Sequence, residues 1–310
     1  MDEPEFSVRE LLRARPRGPG APVDLAAVDP RSTPGVPTGL DRAAAKRWAA
    51  ERVGALAVDL AGLQEKLSAS ARADPAFTGR VLLVLQAMDA GGKDGTIRRV
   101  AGAMNPLGLH IRSFGPPTEE ESRHDFLWRI RRALPRPGYV GVFNRSHYED
   151  VLIARVESLV PEAVWRSRYD EINAFERGLV GEGFTLVKVF LHISPEEQLD
   201  RLTRRLDNPE KHWKYDPADV DARARWDDYR AAYADAITLC NDVNAPWYVV
   251  PADRKWYRDW AVASLLRETL AELGLAYPPA NFDVNRERHR LAGAVRVGQR
   301  DRPATARGLR

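Results

Sequence analysis

The stretch from Arg80 to Gln86, RVLLVLQ, is an apolar run of strand length, and it ends in a glycine-rich loop, AMDAGGKDGT, which opens a helical pattern at Lys93. Such a run fits a strand buried on both faces of a parallel sheet. A strand, a glycine loop and a helix in that order turn backbone N–H groups and a helix N-terminus onto one anion, which makes the loop a phosphate-binding candidate. Gly91, Gly92 and Gly95 supply the turn, Lys93 supplies a point charge, and Thr96 completes the expected contacts. Two positions break the usual phosphate-loop pattern. Ala87 stands where its first glycine falls, and Asp94 stands where Ser or Thr would follow the lysine. Asp89 adds a further acid inside the loop. A carboxylate beside phosphate repels it unless a divalent cation lies between them, so Asp89 is expected as a Mg2+ ligand or as a group orienting an acceptor. Asp94 either joins the phosphate site or caps the helix that follows. The competing reading is a glycine-rich strand-to-helix turn carrying a surface lysine.

From that strand onward the chain alternates. Leu109–Phe114, Tyr139–Asn144, Phe184–Ile193 and Ala245–Pro251 read as four more strands, with helical patterns between them. Alternation of this kind predicts a doubly wound, mainly parallel sheet with ligands beyond the carboxyl ends of its strands. Thr118 with Glu121 forms a capping box, predicting a helix over EEESRHDFLWRIRRAL. Ser194, Pro195 and Glu197 open another helix, and a closing helix runs from about Asp253 to Leu273. Leu56, Leu60, Leu63 and Leu67 recur at helical steps between Leu40 and Ala71. Residues 1–40 are proline-rich and read as an irregular arm, while 278–310 read as a loosely ordered, arginine-rich tail. No apolar run approaches the ~20 residues of a membrane span. The acidic opening MDEPEFSVRE predicts no secretory signal. One cysteine, Cys240, allows no intrachain disulfide, which fits a reducing cytoplasm; it reads as a small buried apolar side chain.

The net charge of +3 is unevenly distributed. From Asn281 to Arg310 eight arginines face three acids, so the first 280 residues sum to −2. Anion binding in the globular part must come from local clusters. One such cluster follows the third strand, in FNRSHYED. Asn144 stands where a metal-binding Asp is common, Arg145 can clamp phosphate through two bonds, and Glu149 falls close to the start of a helix expected near Ser146. Arg145 and Glu149 could equally be a capping ion pair. A second cluster, RLTRRLDNPEKHWKYDP, carries Arg204, Arg205, Lys211 and Lys214 about a proline-containing break. It reads as a mobile lid at about 201–220, or as a solvated basic loop. The six histidines show no metal-ligand spacing, and neither a Ser-His-Asp set nor a zinc pattern exists.

Taken together, MDAGGKDG, SFGPPTEEESRHDFLWR, FNRSHYEDVL, RRLDNPEKHWKYDP and PWYVVPADRKWYRDW resemble the successive blocks of the polyphosphate kinase 2 family, over about Leu40 to Leu275. The resemblance implies a P-loop kinase-like three-layer α/β/α fold with a central, mainly parallel five-stranded sheet and a helical lid, spanning residues 41–277. It implies Mg2+-dependent, reversible transfer of phosphoryl groups between inorganic polyphosphate and AMP, ADP or ATP, by a cytoplasmic homo-oligomer with no nucleic-acid or membrane partner. Asp89 and Lys93 match the family's loop residues, and Arg145 and Glu149 join them as expected catalytic groups. Asp89, with Glu149, is the expected Mg2+ ligand. Gly91, Gly92, Asp94, Gly95, Thr96, Asn144, His147 and Tyr148 are the expected phosphate or nucleotide contacts, and Arg204, Arg205, Lys211 and Lys214 the expected polyphosphate contacts. The NRSHYEDV form resembles class III, which accepts both mono- and diphosphates. Gly91 departs mildly from the Ala or Ser common there.

Overall fold

The computed structural model describes residues 7–16, 18 and 21–300, with side chains to residue 293. Its strands are β1 (Arg80–Ala87), β2 (Leu109–Ser113), β3 (Val140–Asn144), β4 (Phe184–His192) and β5 (Trp247–Pro251). The helices are α1 (Val8–Leu12), α2 (Arg42–Ala73), α3 (Lys93–Val100), α4 (Trp128–Arg132), α5 (Ile153–Val156) and α6 (Glu162–Gly181). They continue with α7 (Pro195–Leu206), α8 (Ala218–Ala224), α9 (Trp226–Leu239), α10 (Lys255–Glu272) and α11 (Val284–Arg300). Met1–Ala276 forms one compact unit and Tyr277–Arg310 another.

All five strands pair in parallel, in the order β2-β3-β1-β4-β5. The alternation of β1 explains why its run is wholly apolar. Val81, Leu83 and Leu85 join a core shared with α2 and α10, whereas Leu82 and Val84 join a second core with Ile130 of α4 and Leu179 of α6. Both faces are therefore covered, and the expected three-layer α/β/α arrangement results. Chain order reverses around β1, which leaves a crevice at the carboxyl ends of β1 and β3. Their register pairs Leu85 with Asn144, and Arg145 N–H donates to Leu85 O at 3.0 Å. The glycine loop and the turn after β3 thus leave the sheet side by side.

Three segments differ from the sequence expectation. The described part of 1–40 is largely irregular, as expected, but it packs against the core instead of forming a free arm. Val8, Leu12, Ala14, Val23 and Leu25 are buried in the main core. The Glu268 carboxylate of α10 accepts from the N–H groups of Val8 and Arg9 at the start of α1. Ala14 N–H donates to Trp247 O, so this segment also covers the otherwise open edge of β5. The capping box at Thr118 forms in both directions, but the expected helix breaks after one 3-10 turn, Glu121–Arg123, and resumes only as α4. That turn buries no residue, and Asp125 Oδ1 takes the Leu127 N–H, so local bonding wins where no apolar stripe pays for the helix. Lastly, the tail expected to be loose is helical over α11. The Asp283 carboxylate accepts from the N–H groups of Asn285 and Arg286, and Glu287 pairs with Arg290. Residues 301–310 of that tail lie outside the described residues. No described helix is long and apolar enough to cross a membrane.

Candidate functional site

The glycine loop is shaped from outside itself. Arg201 of α7, expected on a mobile basic lid, is instead buried. One guanidinium nitrogen donates to Ala90 O and Gly91 O, the other to Ala252 O and Asp253 O. Gln198 donates to Asp89 O at 3.0 Å. With the loop carbonyls held this way, the first-turn N–H groups of α3, which lack partners within the helix, remain its donors for an anion. Arg258 of α10, buried and bonded to Asp259, lies under the other side of the loop. Gly92 has φ 103°, and a Cβ there would lie 2.0 Å from an Arg258 nitrogen. Gly95 has ordinary φ, and its Cβ would lie 3.1 Å from that guanidinium. Gly91 has no room either, since a Cβ would meet Ala87 Cβ at 2.4 Å. Gly92→Ala is therefore expected to cost ~1–2 kcal/mol from left-handed backbone alone, plus the displacement of Arg258. Denaturant unfolding beside Gly95→Ala checks this, and equal losses for the two would contradict it.

Inside the crevice, Arg145 lies between two acids. One of its terminal nitrogens is 3.0 Å from Asp89 Oδ1 and the other 3.7 Å from Glu149 Oε2. Arg145 adopts φ 63°, an uncommon conformation for a side-chain-bearing residue, at the position where the chain leaves β3. Glu149 first, and then Asp89, hold its guanidinium charge more firmly against the effect of burial. The Lys93 ammonium donates to Ala87 O at 2.9 Å. Burial, followed by the nearby Arg145, pushes the Lys93 ammonium below its ordinary value, and Asp89, Glu149 and Asp94 oppose that shift. An anion arriving here would restore the preference for the charged form.

Asp94 caps nothing: the N-cap position is Gly92, without a side-chain bond. Asp94 instead accepts from Asn144 Nδ2 at 2.8 Å and from Lys214 Nζ at 3.3 Å. Burial works against its ionisation, yet those two bonds hold the carboxyl below the usual aspartate value. Lys214 is thus the expected lid cation that touches the loop. Arg205 pairs with Asp219 of α8, Arg204 pairs with Asp200 and Glu197, and Lys211 is exposed. Asp219 was not singled out in the sequence. Burial, and then Asp89, push its carboxyl up, so it belongs to the same acidic surround.

Three expected contacts point elsewhere. Thr96 is fully buried and its hydroxyl donates to Gly92 O at 3.2 Å, inside the helix. His147 and Tyr148 leave the crevice altogether, because the 3-10 turn His147–Asp150 directs them under the sheet. There the Glu176 carboxylate accepts from Tyr148 OH at 2.8 Å and from His147 Nε2 at 3.2 Å, with Lys188 Nζ 2.5 Å from its second oxygen. Lys188, the one charged residue in the apolar β4, also donates to Cys240 O at 2.7 Å and Tyr148 OH at 3.0 Å. Burial works against the Glu176 charge, yet Lys188 and His147 hold its carboxyl below the usual glutamate value. Cys240 is buried as expected. Burial, with Glu176 next, pushes its thiol up to about 12, so it is no nucleophile.

Beside Asp89, Arg145 and Glu149 the crevice continues under Trp226, Tyr229 and Tyr233 of α9. These aromatics recur at three- and four-residue steps, a pattern legible in the sequence as a helix face but silent about what it faces. The water-accessible hollow is about 40 Å³ and opens to solvent. A larger hollow of about 340 Å³, lined by Arg72, Leu107, Arg136 and Tyr139, lies at the amino end of β3, away from these charged groups.

A family model described as Polyphosphate kinase 2 (PPK2) matches residues 44–274. The chain is 51% identical over 233 residues to an AMP/ADP-polyphosphate phosphotransferase of Meiothermus ruber, covering 75% of this chain and 85% of that protein. It is 44% identical over 231 residues to an ADP-polyphosphate phosphotransferase of Rhodopseudomonas palustris, covering 71% and 78%. The crystal structure of polyphosphate kinase 2 from Arthrobacter aurescens TC1 superposes with a TM-score of 0.86 at 46% identity, covering 94% of this chain and 99% of that one. With the glycine loop, the turn after β3 and the α7–α9 cover all inside the matched span, the chain belongs to the polyphosphate kinase 2 family.

Proposed function

We propose that this protein transfers the terminal phosphoryl group of inorganic polyphosphate to AMP and ADP, forming ADP and ATP, and that it also runs in reverse. The carrying observation is the meeting of Lys93, Asp89, Arg145 and Glu149 at the carboxyl ends of β1 and β3, in a family whose relatives bear phosphotransferase names. An acceptor phosphate oxygen attacks the terminal phosphorus in line, the bond to the next bridging oxygen breaks, and the chain leaves one phosphate shorter. Such transfer needs positioning and neutralised charge rather than a covalent nucleophile. Lys93 and the first-turn N–H groups of α3 hold the donor phosphates. Arg145 exchanges part of its pairing with Asp89 and Glu149 for phosphate oxygens. Lys214, and beside it Arg204, Arg205 and Lys211, lie on the polyphosphate side, while Asn144 and Asp94 fix the helix start.

Mg2+ is the proposed cation. No group of three or more His, Cys, Asp or Glu among the described residues could hold a metal by itself. That suits an ion bound through one or two carboxylates and shared with substrate phosphates, with Asp89 and Glu149 as the hard oxygen donors. Bound there, it would offset the charge of the phosphates.

ATP formation from ADP and polyphosphate, with no nucleoside triphosphate added, tests the reading. Efficient ADP formation from AMP and ATP without polyphosphate would replace it by an ATP-dependent nucleotide kinase. Glu149→Gln is expected to change AMP and ADP turnover unequally, because the two acceptors present their attacking oxygens one phosphate apart. Equal losses for both, at unaltered Mg2+ dependence, would reduce Glu149 to a partner of Arg145.

A further inference from the structure

Most cations of Met1–Ala276 that could guide a long polyanion toward the crevice already have acidic partners. Arg129 faces Glu121 and Asp150, Arg204 faces Asp200 and Glu197, Arg205 faces Asp219, and Lys214 faces Asp94. The first 280 residues carry a net −2, and the surplus of positive charge lies wholly after them. In α11 that surplus is displayed on a regular element. Arg286 and Arg290 stand one turn apart on one face, 69% and 72% exposed, and share the single carboxylate of Glu287. Arg288 is exposed and has no ion-pair partner among the described residues. Val284 and Leu291, seven residues apart, fall on the opposite side, where Arg288 lies between them.

We infer that α11 is a second binding segment for polyphosphate, outside the family's matched span, which captures long chains and keeps them tethered to the same polypeptide as the crevice. The inference rests on the proposed function for the identity of the polyanion. Inorganic polyphosphate carries a charge at every phosphate and has no apolar surface, so it can satisfy Arg286, Arg288 and Arg290 together on either side of a helix. A tethered second contact of this kind strengthens binding of ligands long enough to engage both segments, and does nothing for short ones.

The test uses the full chain carrying Arg286→Gln, Arg288→Gln and Arg290→Gln together. Glutamine keeps helix propensity, and the matching triple Arg→Lys variant keeps the charge. Binding of fluorescently labelled long-chain polyphosphate is measured across salt, alongside KM for long-chain polyphosphate, triphosphate and ADP. The glutamine variant is expected to bind the long chain about tenfold more weakly at low ionic strength, the scale of three exposed charge contacts. Its log–log salt slope should fall by about 2, at ~0.7 per charge neutralised on a flexible polyanion. The lysine variant, the triphosphate KM, the ADP KM and kcat should remain at wild-type values. Unchanged long-chain binding and salt slope in the glutamine variant overturn the inference. So does a loss confined to binding of vesicles containing anionic lipid, which would make α11 a membrane-surface helix. A wild-type protein that binds polyphosphate but forms no ATP from it would contradict the proposed function and leave this binding result readable.

Discussion

Lys93→Ala is expected to lower turnover with polyphosphate and ADP by ~10²-fold or more, the scale of losing one preorganised charge contact to the transferring group, while the melting temperature stays near wild type. The stability half of this expectation follows from the bonding. The lysine's protein contact is the carbonyl of Ala87, and that carbonyl also accepts from Tyr233 OH at 3.0 Å, so the substitution leaves it satisfied. Moreover, the ammonium is itself disfavoured by burial and by Arg145, and removing it relieves that cost. Asp89→Asn should also lose most turnover, since it removes a Mg2+ donor and the 3.0 Å partner of Arg145 together. Steady-state kinetics with a parallel thermal melt decide the matter. Near-normal turnover in Lys93→Ala would move the phosphate site away from the loop.

The second large effect is on stability. Lys188→Met is expected to cost ~3–5 kcal/mol, because it strands a buried carboxylate. In the wild type Glu176 is held below the usual glutamate value, so its contribution is present at pH 7 and is lost as pH falls through its folded-state value. Without Lys188, burial dominates and the carboxyl shifts upward. Stability of the variant should then rise on acidification toward the usual glutamate range, opposite in sign to this group's contribution in the wild type. Adding Glu176→Gln to Lys188→Met should recover part of the loss and flatten the pH dependence, as coupled partners do. Urea unfolding from pH 7 to pH 4 measures all three proteins. A loss below 1 kcal/mol with no change in pH slope would mean that the pair is solvated.

Four of the strands were legible because each is a largely apolar run buried on both faces, whereas β2, LHIRS, alternates apolar with polar residues and is partly exposed. The capping box at Thr118 was legible too, but a cap states where a helix can begin and not whether packing will carry it onward. The helix α11 was missed for the converse reason, since Asp283 caps a segment with no long apolar stripe. At the site, the sequence brought Asp89, Lys93, Arg145 and Glu149 to one crevice through strand-end position alone. It could not tell that His147 and Tyr148, beside Arg145 in the chain, turn inward to Glu176 and Lys188. That choice depends on the backbone of a 3-10 turn and on a partner more than two dozen residues away. Arg201 and Arg258 were illegible as loop supports, because their contacts span more than a hundred residues and arginine alone suggests a surface cation.

Those two arginines bear on when the site can exist during synthesis. β1 and the glycine loop leave the ribosome early, but the carbonyls of Ala90 and Gly91 find Arg201 only after α7 is made, and Gly92 meets Arg258 only once α10 follows. β1 itself waits for β3 and β4 on its two sides. Contacts of such long sequence separation are slow to form, so a nascent chain halted before α10 would display the loop's residues without its shape. Phosphate affinity should therefore emerge abruptly, only once α10 has been made, which spares a partly made chain from seizing a polyanion before its core has closed.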